Sequence, residues 1–463
     1  MTAPWQMDTS TLARHYARGT LSPVDALRSM LARLDALNPG LNAVIARDDA
    51  AALAAARESE ARWRRGAAQS ELDGVALTVK DNIPVRGLPC QWGSRLYAGH
   101  VPSRDELPAR RLREAGCVII GKTNVPEFTL QGFTDNAVSG PTRNPWNTAL
   151  TPGGSSGGAV AAVAAGIGPV ALATDGGGSI RRPCAYTGLV GLKPSWGMVP
   201  RADGLPDMLP GLEVIGPIAR CVQDVARILR AIAPNMPIAA SPASTAPRAL
   251  RIAYWPAIDA SPVDARIVRS MDGVVKRLEA LGHEVRTKSP PPAVGAFNRD
   301  AWPVLSATGL AAVLQSRDAQ ALAQLTPAMA TLLACGRELK AVALFEAHAL
   351  RRALRAAMAQ VFRDDDVVLT PACAAMPWEA TVSHPSHIDG RAVDARGHAV
   401  FTAFANGAGL PALALPAEPS PERLPIGFQL VGPHGADAAL LALGAELERQ
   451  SPPAFRIPTG LIP

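Results

Sequence analysis

Metal-site and disulfide patterns are missing from this chain. Its six cysteines, Cys90, Cys117, Cys184, Cys221, Cys335 and Cys373, contain no C-x-x-C pair, which argues against a zinc site and gives no disulfide framework. No H-E-x-x-H occurs either, so neither a metal nor any other cofactor is expected. No apolar run approaches the roughly 18 residues of a membrane span. The opening residues M-T-A-P-W-Q-M-D-T-S lack a basic stretch followed by an apolar one, so no signal peptide is read there. The expectation is a soluble, cytoplasmic protein without a membrane partner. The excess of positive charge is modest as well. The formal net charge is +6 over 463 residues, and Lys and Arg gather only in short pairs such as Arg64-Arg65 and Arg181-Arg182. These read as a mildly basic, solvated surface and not as a nucleic-acid site. Aromatics are only 5% and charged residues 19%, against 48% hydrophobic residues. That composition belongs to a well-buried globular chain whose helices and sheet pack through small side chains.

Alternation of short apolar strands and helices begins after residue 66. The first 66 residues read as three helices. Ser22-Pro23 with Asp25 starts one of them and Asn38-Pro39-Gly40 stops it. Another covers 48–65. Strands are expected at 75–79, 117–120, 169–174, 251–254, 367–370, 412–415 and 427–431. Helices are expected at 108–115, 159–165, 222–232, 265–281 and 436–450. This pattern signals an α/β layer with a largely parallel or mixed sheet. The Pro/Ala/Ser-rich stretch 234–247 reads as an exposed connector. Residues 295–362 carry no strand signal and read as a helical insertion near the substrate pocket. Strand signals at both ends of the chain favour one domain over 1–463.

Three positions carry the chemistry. The segment 151–183 reads T-P-G-G-S-S-G-G-A-V-A-A-V-A-A-G-I-G-P-V-A-L-A-T-D-G-G-G-S-I-R-R-P, placing Ser155 and Ser179 in two glycine-rich loops. Gly176-Gly177-Gly178-Ser179 can turn several N–H groups to one point, a nest suited to an oxyanion with a serine nucleophile beside it. Taken alone, such a loop also fits a flexible linker or a phosphate cradle. It lacks the spacing of a phosphate-binding fingerprint. G-G-S-S-G around Ser155 formally satisfies G-x-S-x-G, but residues 144–152 read as loop, whereas a nucleophile elbow follows a strand. None of His348, His384, His387, His398 or His434 has a supporting context for that triad. Lys80 ends the apolar run 75–79. Burial there would disfavour its ammonium form and leave an amine able to take a proton from a serine. Alone, a strand-end lysine usually reaches solvent.

Together the three positions resemble the amidase signature family. G-G-S-S-G-G, T-D-G-G-G-S-I-R and G-L-V-G-L-K-P-S at 188–195 are similar to its diagnostic block in order and spacing. K-D-N at 80–82, G-K-T-N-V-P-E-F at 121–128, G-P-T-R-N-P-W at 140–146 and the late N-G-A-G-L-P-A and L-P-I-G-F-Q-L-V-G segments extend the likeness over about 65–450. The stretch P-C-A-Y-T-G at 183–188 departs from it, which bears on substrate detail.

The resemblance implies an α/β/α amidase signature fold and an amidohydrolase acting on a small-molecule amide through an acyl-enzyme. Ser179 would be the nucleophile, Ser155 the relay, with a cis peptide bond before it, and Lys80 the base. The amides of Gly176, Gly177, Gly178 and Ser179 would form the oxyanion hole. Asp175 and Arg181 would pin the loop by an ion pair, and Thr129 and Gln131 would line the acyl side of the pocket. A homodimer is the candidate assembly. Two alternatives share these motifs: the glutaminase component of a tRNA-dependent amidotransferase, and a silent binding module.

Overall fold

Eleven strands form one sheet in the computed structural model, which describes residues 2–239, 249–450 and 458. They are β1 (Val44–Ala46), β2 (Ala76–Lys80), β3 (Val118–Thr123), β4 (Val170–Asp175), β5 (Val190–Lys193), β6 (Val214–Ala219), β7 (Arg251–Tyr254), β8 (Glu284–Thr287) and β9 (Val367–Pro371), followed, after a separate small hairpin of β10 (His387–Ile388) and β11 (Arg391–Ala392), by β12 (Ala412–Pro416) and β13 (Gly427–Val431). The order across the sheet is β1-β3-β2-β4-β6-β5-β12-β13-β9-β7-β8. β2 runs parallel to β3 and β4, and β7 runs parallel to β8 and β9, while β4/β6 and the strands from β6 to β9 pair antiparallel. The sheet is therefore mixed, with helices packed against it, as the alternation in sequence leads one to expect.

Two features of the sheet fix the site. First, β2, β3 and β4 are buried along their whole lengths and read as near-continuous apolar runs, which parallel strands covered on both faces require. Their carboxyl ends lie side by side, the usual place for a site in such a layer. Second, the helix Gly157–Ala165 is buried at every position and crosses this part of the sheet. Only small residues allow that approach. A Cβ on Gly158 would stand 2.3 Å from the backbone nitrogen of Asn124 and 2.6 Å from the carbonyl oxygen of Ala43.

Several elements differ from expectation. The helix Pro23–Leu41 runs through Pro39 and ends only where Asn42 turns left-handed at φ +50°. Asn38 Oδ1 then accepts from the N–H groups of Ala43 and Val44, at 2.9 Å each, which starts β1. Strands β1, β5, β6 and β8 carry weak signals. In β6 the cause is Pro217, which argues against a central strand; β5 pairs with β6 only at Val190–Ala219 and Gly191–Ile218, so the proline sits beyond that ladder. β8 is an edge strand with exposed charged residues. Residues 292–364 hold helices joined by short connections, from Pro292–Ala296 to Ala341–Asp364, and no strand. Within the expected connector 234–247, positions 240–247 lie outside the described residues. Among the described residues no helix is long and apolar enough to cross a membrane.

Candidate active site

Lys80 closes β2 with its side chain fully buried. The parallel register sets Val79 against Leu172 and so brings the lysine beside Thr174, near the end of β4. Its Nζ lies 2.9 Å from Ser155 Oγ, 2.9 Å from Thr174 Oγ1 and 3.2 Å from the Thr174 carbonyl oxygen. Among the described residues no carboxylate pairs with it. Burial pushes the Lys80 amine down to about 7, with the more distant charges of Glu213 and Asp175 opposing. The neutral amine suits this ring of oxygens. One N–H donates to the carbonyl of Thr174, which can only accept. A second donates to Thr174 Oγ1, whose own O–H can donate to Asn82 Oδ1 at 3.4 Å. The lone pair then faces the hydroxyl of Ser155.

Ser155 sits at the foot of the buried helix in a segment without strand structure before it, so a nucleophile elbow is absent. The Gly154–Ser155 peptide bond is cis. Thr134 braces the loop on both sides, its Oγ1 donating to the Gly153 carbonyl at 2.8 Å and accepting from Gly157 N–H at 3.2 Å. The two serine loops are joined directly. Ser156 N–H donates to the Ser179 carbonyl at 3.2 Å, and Arg182 Nη2 donates to the Gly154 carbonyl at 3.3 Å.

The second loop hangs from Asp175. Asp175 and Arg181 are fully buried and face each other in a bidentate pair, with Nε to Oδ2 at 3.0 Å and Nη2 to Oδ1 at 2.9 Å. Asn406 and Gln429 complete the cage around the guanidinium. Burial alone would raise the Asp175 carboxyl, and Arg181, Lys193 and Asn406 override it, so the group is held well below the usual carboxylate range. Asp175 also accepts from the N–H groups of Gly178 at 2.7 Å and Ile180 at 3.0 Å. This changes the expected oxyanion nest. The Gly178 N–H already has a carboxylate partner and Gly178 does not reach the cavity wall, so the candidate donors narrow to Gly176, Gly177 and Ser179. Gly178 serves the turn instead, at φ +117°.

Ser179 opens into a cavity of about 230 Å³, whose wall includes Thr129, Gln131, Gly176 and Gly177. Phe128 and Thr129 are both left-handed, at φ +52° and +59°, which turns the chain at this wall. Lys80 and Ser155 lie behind the cavity and not on its surface. A larger cavity of about 390 Å³ lies beyond Leu209 and Glu213, which line both, and does not reach Ser179. Among the residues of the Ser179 cavity that sequence reading does not place there are Arg182, Trp302, Arg396 and His398. Arg181 and Arg182 are buried, not a solvated pair; their position right after the serine loop is the available signal. His398 is buried as well, and its context lies in distant segments that no local motif announces. Among the described residues no group of three His, Cys, Asp or Glu side chains is placed to hold a metal ion.

Comparison with known proteins bears on the family and the fold. The amidase family model matches residues 25–441. The chain is 36% identical to a putative amidase AmiB2 of Mycobacterium bovis, with 96% of each chain covered. It is 34% identical to one of the subunits of the glutamyl-tRNA(Gln) amidotransferase of Acidothermus cellulolyticus, covering 97% of this chain and 94% of that one. Among solved structures it superposes on a bacterial aryl acylamidase with a TM-score of 0.89 at 28% identity, covering 98% of both chains. A 6-aminohexanoate cyclic dimer hydrolase gives 0.88 at 28% identity, covering 99% of this chain and 100% of that one.

Proposed function

The chain belongs to the amidase signature family, and from that premise we propose that it hydrolyses the C–N bond of linear carboxylic amides through an acyl-enzyme on Ser179. The observation that carries this reading is the contact of 2.9 Å between Lys80 Nζ and Ser155 Oγ in a fully buried setting. A lysine amine near neutrality is a competent base, and a serine hydroxyl needs one. Lys80 takes the proton of Ser155, and Ser155 takes that of Ser179 as Ser179 Oγ bonds to the amide carbon. The N–H groups of Gly176, Gly177 and Ser179 are the candidates to receive the developing oxyanion. Collapse of the tetrahedral intermediate breaks the C–N bond, and the proton returns through Ser155 to the leaving nitrogen. Water then attacks the ester by the same relay, releasing the carboxylate and restoring Ser179.

A second reading draws on the relatives named as components of glutamyl-tRNA(Gln) amidotransferase: the chain would release ammonia from glutamine for a partner. The purified chain alone, given simple amides and glutamine, separates the two. Turnover of aliphatic or aryl amides without a partner supports the first reading, and activity on glutamine that appears only with partner proteins supports the second.

A further inference from the structure

The wall above Ser179 carries two arginines, Arg182 and Arg396, against a single carboxylate among the described residues. Arg396 stacks on Trp302, its Cζ 5.1 Å from the ring centroid, and forms no ion pair among the described residues. Its hydrogen bonds there are made by the backbone, the N–H donating to Asp394 Oδ1 at 2.8 Å and the carbonyl accepting from Ala399 N–H at 2.8 Å. Arg182 is buried and meets only neutral acceptors: the carbonyls of Gly177 and Gly154 and the hydroxyl of Thr402. Its Nε has no hydrogen-bond partner among the described residues. His398, only 2% exposed, lines the same cavity; neither ring nitrogen has a hydrogen bond of good geometry among the described residues, though the Ala395 backbone lies near enough to favour the charged ring. Glu213 is the single carboxylate on this wall among the described residues. It already accepts from Arg201 Nη1 at 2.7 Å.

A buried guanidinium without an acceptor of opposite charge is unfavourable, and it becomes favourable when a carboxylate arrives in bidentate geometry. Arg396 is only partly buried; that burial, with Arg182 adding to it and Asp394 opposing, pushes its guanidinium down to about 9. Burial together with Arg182, Arg396 and His384 holds His398 far below its usual value. The imidazole is therefore held neutral, with one N–H to donate. We propose that Arg396, Arg182 and His398 form an anion-recognition site, and that the acyl part of the substrate bears a carboxylate: the substrate is the monoamide of a short dicarboxylic acid. The cavity volume of about 230 Å³ suits a short acyl chain, lying below the about 300–1,000 Å³ of sites for larger ligands. This inference rests on the hydrolase reading for the reaction, but not for the binding.

Two measurements test it. The first is kcat/KM for malonamate, succinamate and glutaramate, each against the uncharged alkyl amide in which a methyl group replaces the carboxylate. The anionic amide of at least one pair should be preferred by about 10-fold or more. Arg396→Gln should lower that value about 10-fold further than it lowers the value for the neutral amide; if this variant does not fold, Arg182→Gln serves. The second is calorimetric binding of malonate, succinate and glutarate to Ser179→Ala, which should be seen for at least one of them and be weakened by the same substitution. Amide cleavage with no anionic preference in any pair overturns the anion site and leaves the hydrolase reading standing. Dicarboxylate binding that depends on Arg396, without cleavage of any amide, supports the site and overturns the hydrolase reading. Neither binding nor cleavage overturns both.

Discussion

Lys80 and Thr174 are in contact at two atoms: the lysine Nζ lies 2.9 Å from the threonine hydroxyl and 3.2 Å from its carbonyl oxygen. The pair lies at the ends of two adjacent parallel strands, so the sheet itself orients the amine toward Ser155. Thr174→Val removes one acceptor. Hydrogen bonds to an ammonium are stronger than those to an amine, so this change disfavours the charged form further. The acid limb of kcat/KM is expected to move to lower pH, while the plateau falls about 10-fold as the amine loses its anchor. An unchanged profile and plateau would show that Thr174 does not position the base.

The two serines should respond differently to removal. Ser179→Ala is expected to abolish turnover because no acyl-enzyme can form. Ser155→Ala should keep a residue of activity, about 10²–10⁴-fold below wild type, the usual worth of a positioned proton-transfer group. Labelling with a serine-directed phosphonate, followed by peptide mapping, checks the assignment. Modification of Ser155 in the wild type would reverse the roles.

Asp175 and Arg181 hold the nucleophile loop from behind. Asp175→Asn leaves a buried guanidinium uncompensated, and breaking such a pair costs about 3–5 kcal/mol. Urea unfolding should report a loss of that size together with a fall in activity. A loss below about 1 kcal/mol would place the pair among weak surface contacts.

The stability of the protein should record the buried amine. The folded value of Lys80, about 7, lies below the ordinary lysine value of 10.5. The penalty of holding it is therefore fully present below about pH 7, fades as pH rises, and is gone above the unfolded value. Each unit corresponds to about 1.4 kcal/mol, so the whole effect is about 5 kcal/mol. Lys80→Met removes the charge but also leaves Ser155 Oγ and both Thr174 oxygens without the amine, so its stability at one pH combines two opposing effects. The pH dependence separates them. Relative to Lys80→Met, the wild type should gain a few kcal/mol between about pH 7 and about pH 10. A constant difference would mean that the lysine is not perturbed.

How far the site can be read from sequence follows from how local each signal is. Lys80 after an apolar run and two serines among glycines are local patterns, and the fold brings their segments together. The role of Thr174 depends on the register between β2 and β4, which no single segment encodes. Arg182 is adjacent to a recognised motif yet reads as part of a surface pair, because two consecutive arginines are usually solvated. Arg396 and His398 reach the cavity from a loop more than 200 residues downstream of Ser179, and only the folded chain brings them there. β6 is hidden by Pro217, and β8 by the charged residues of an edge strand.

The most direct test of the central claim is the pH dependence of kcat/KM for an amide whose chemistry is rate-limiting. The free enzyme must hold Lys80 as the neutral amine, and burial pushes that group to about 7. The account predicts a single acid limb that rises tenfold per pH unit and levels off above about pH 7. A profile that is flat from about pH 5 to about pH 9 would contradict a titrating lysine base.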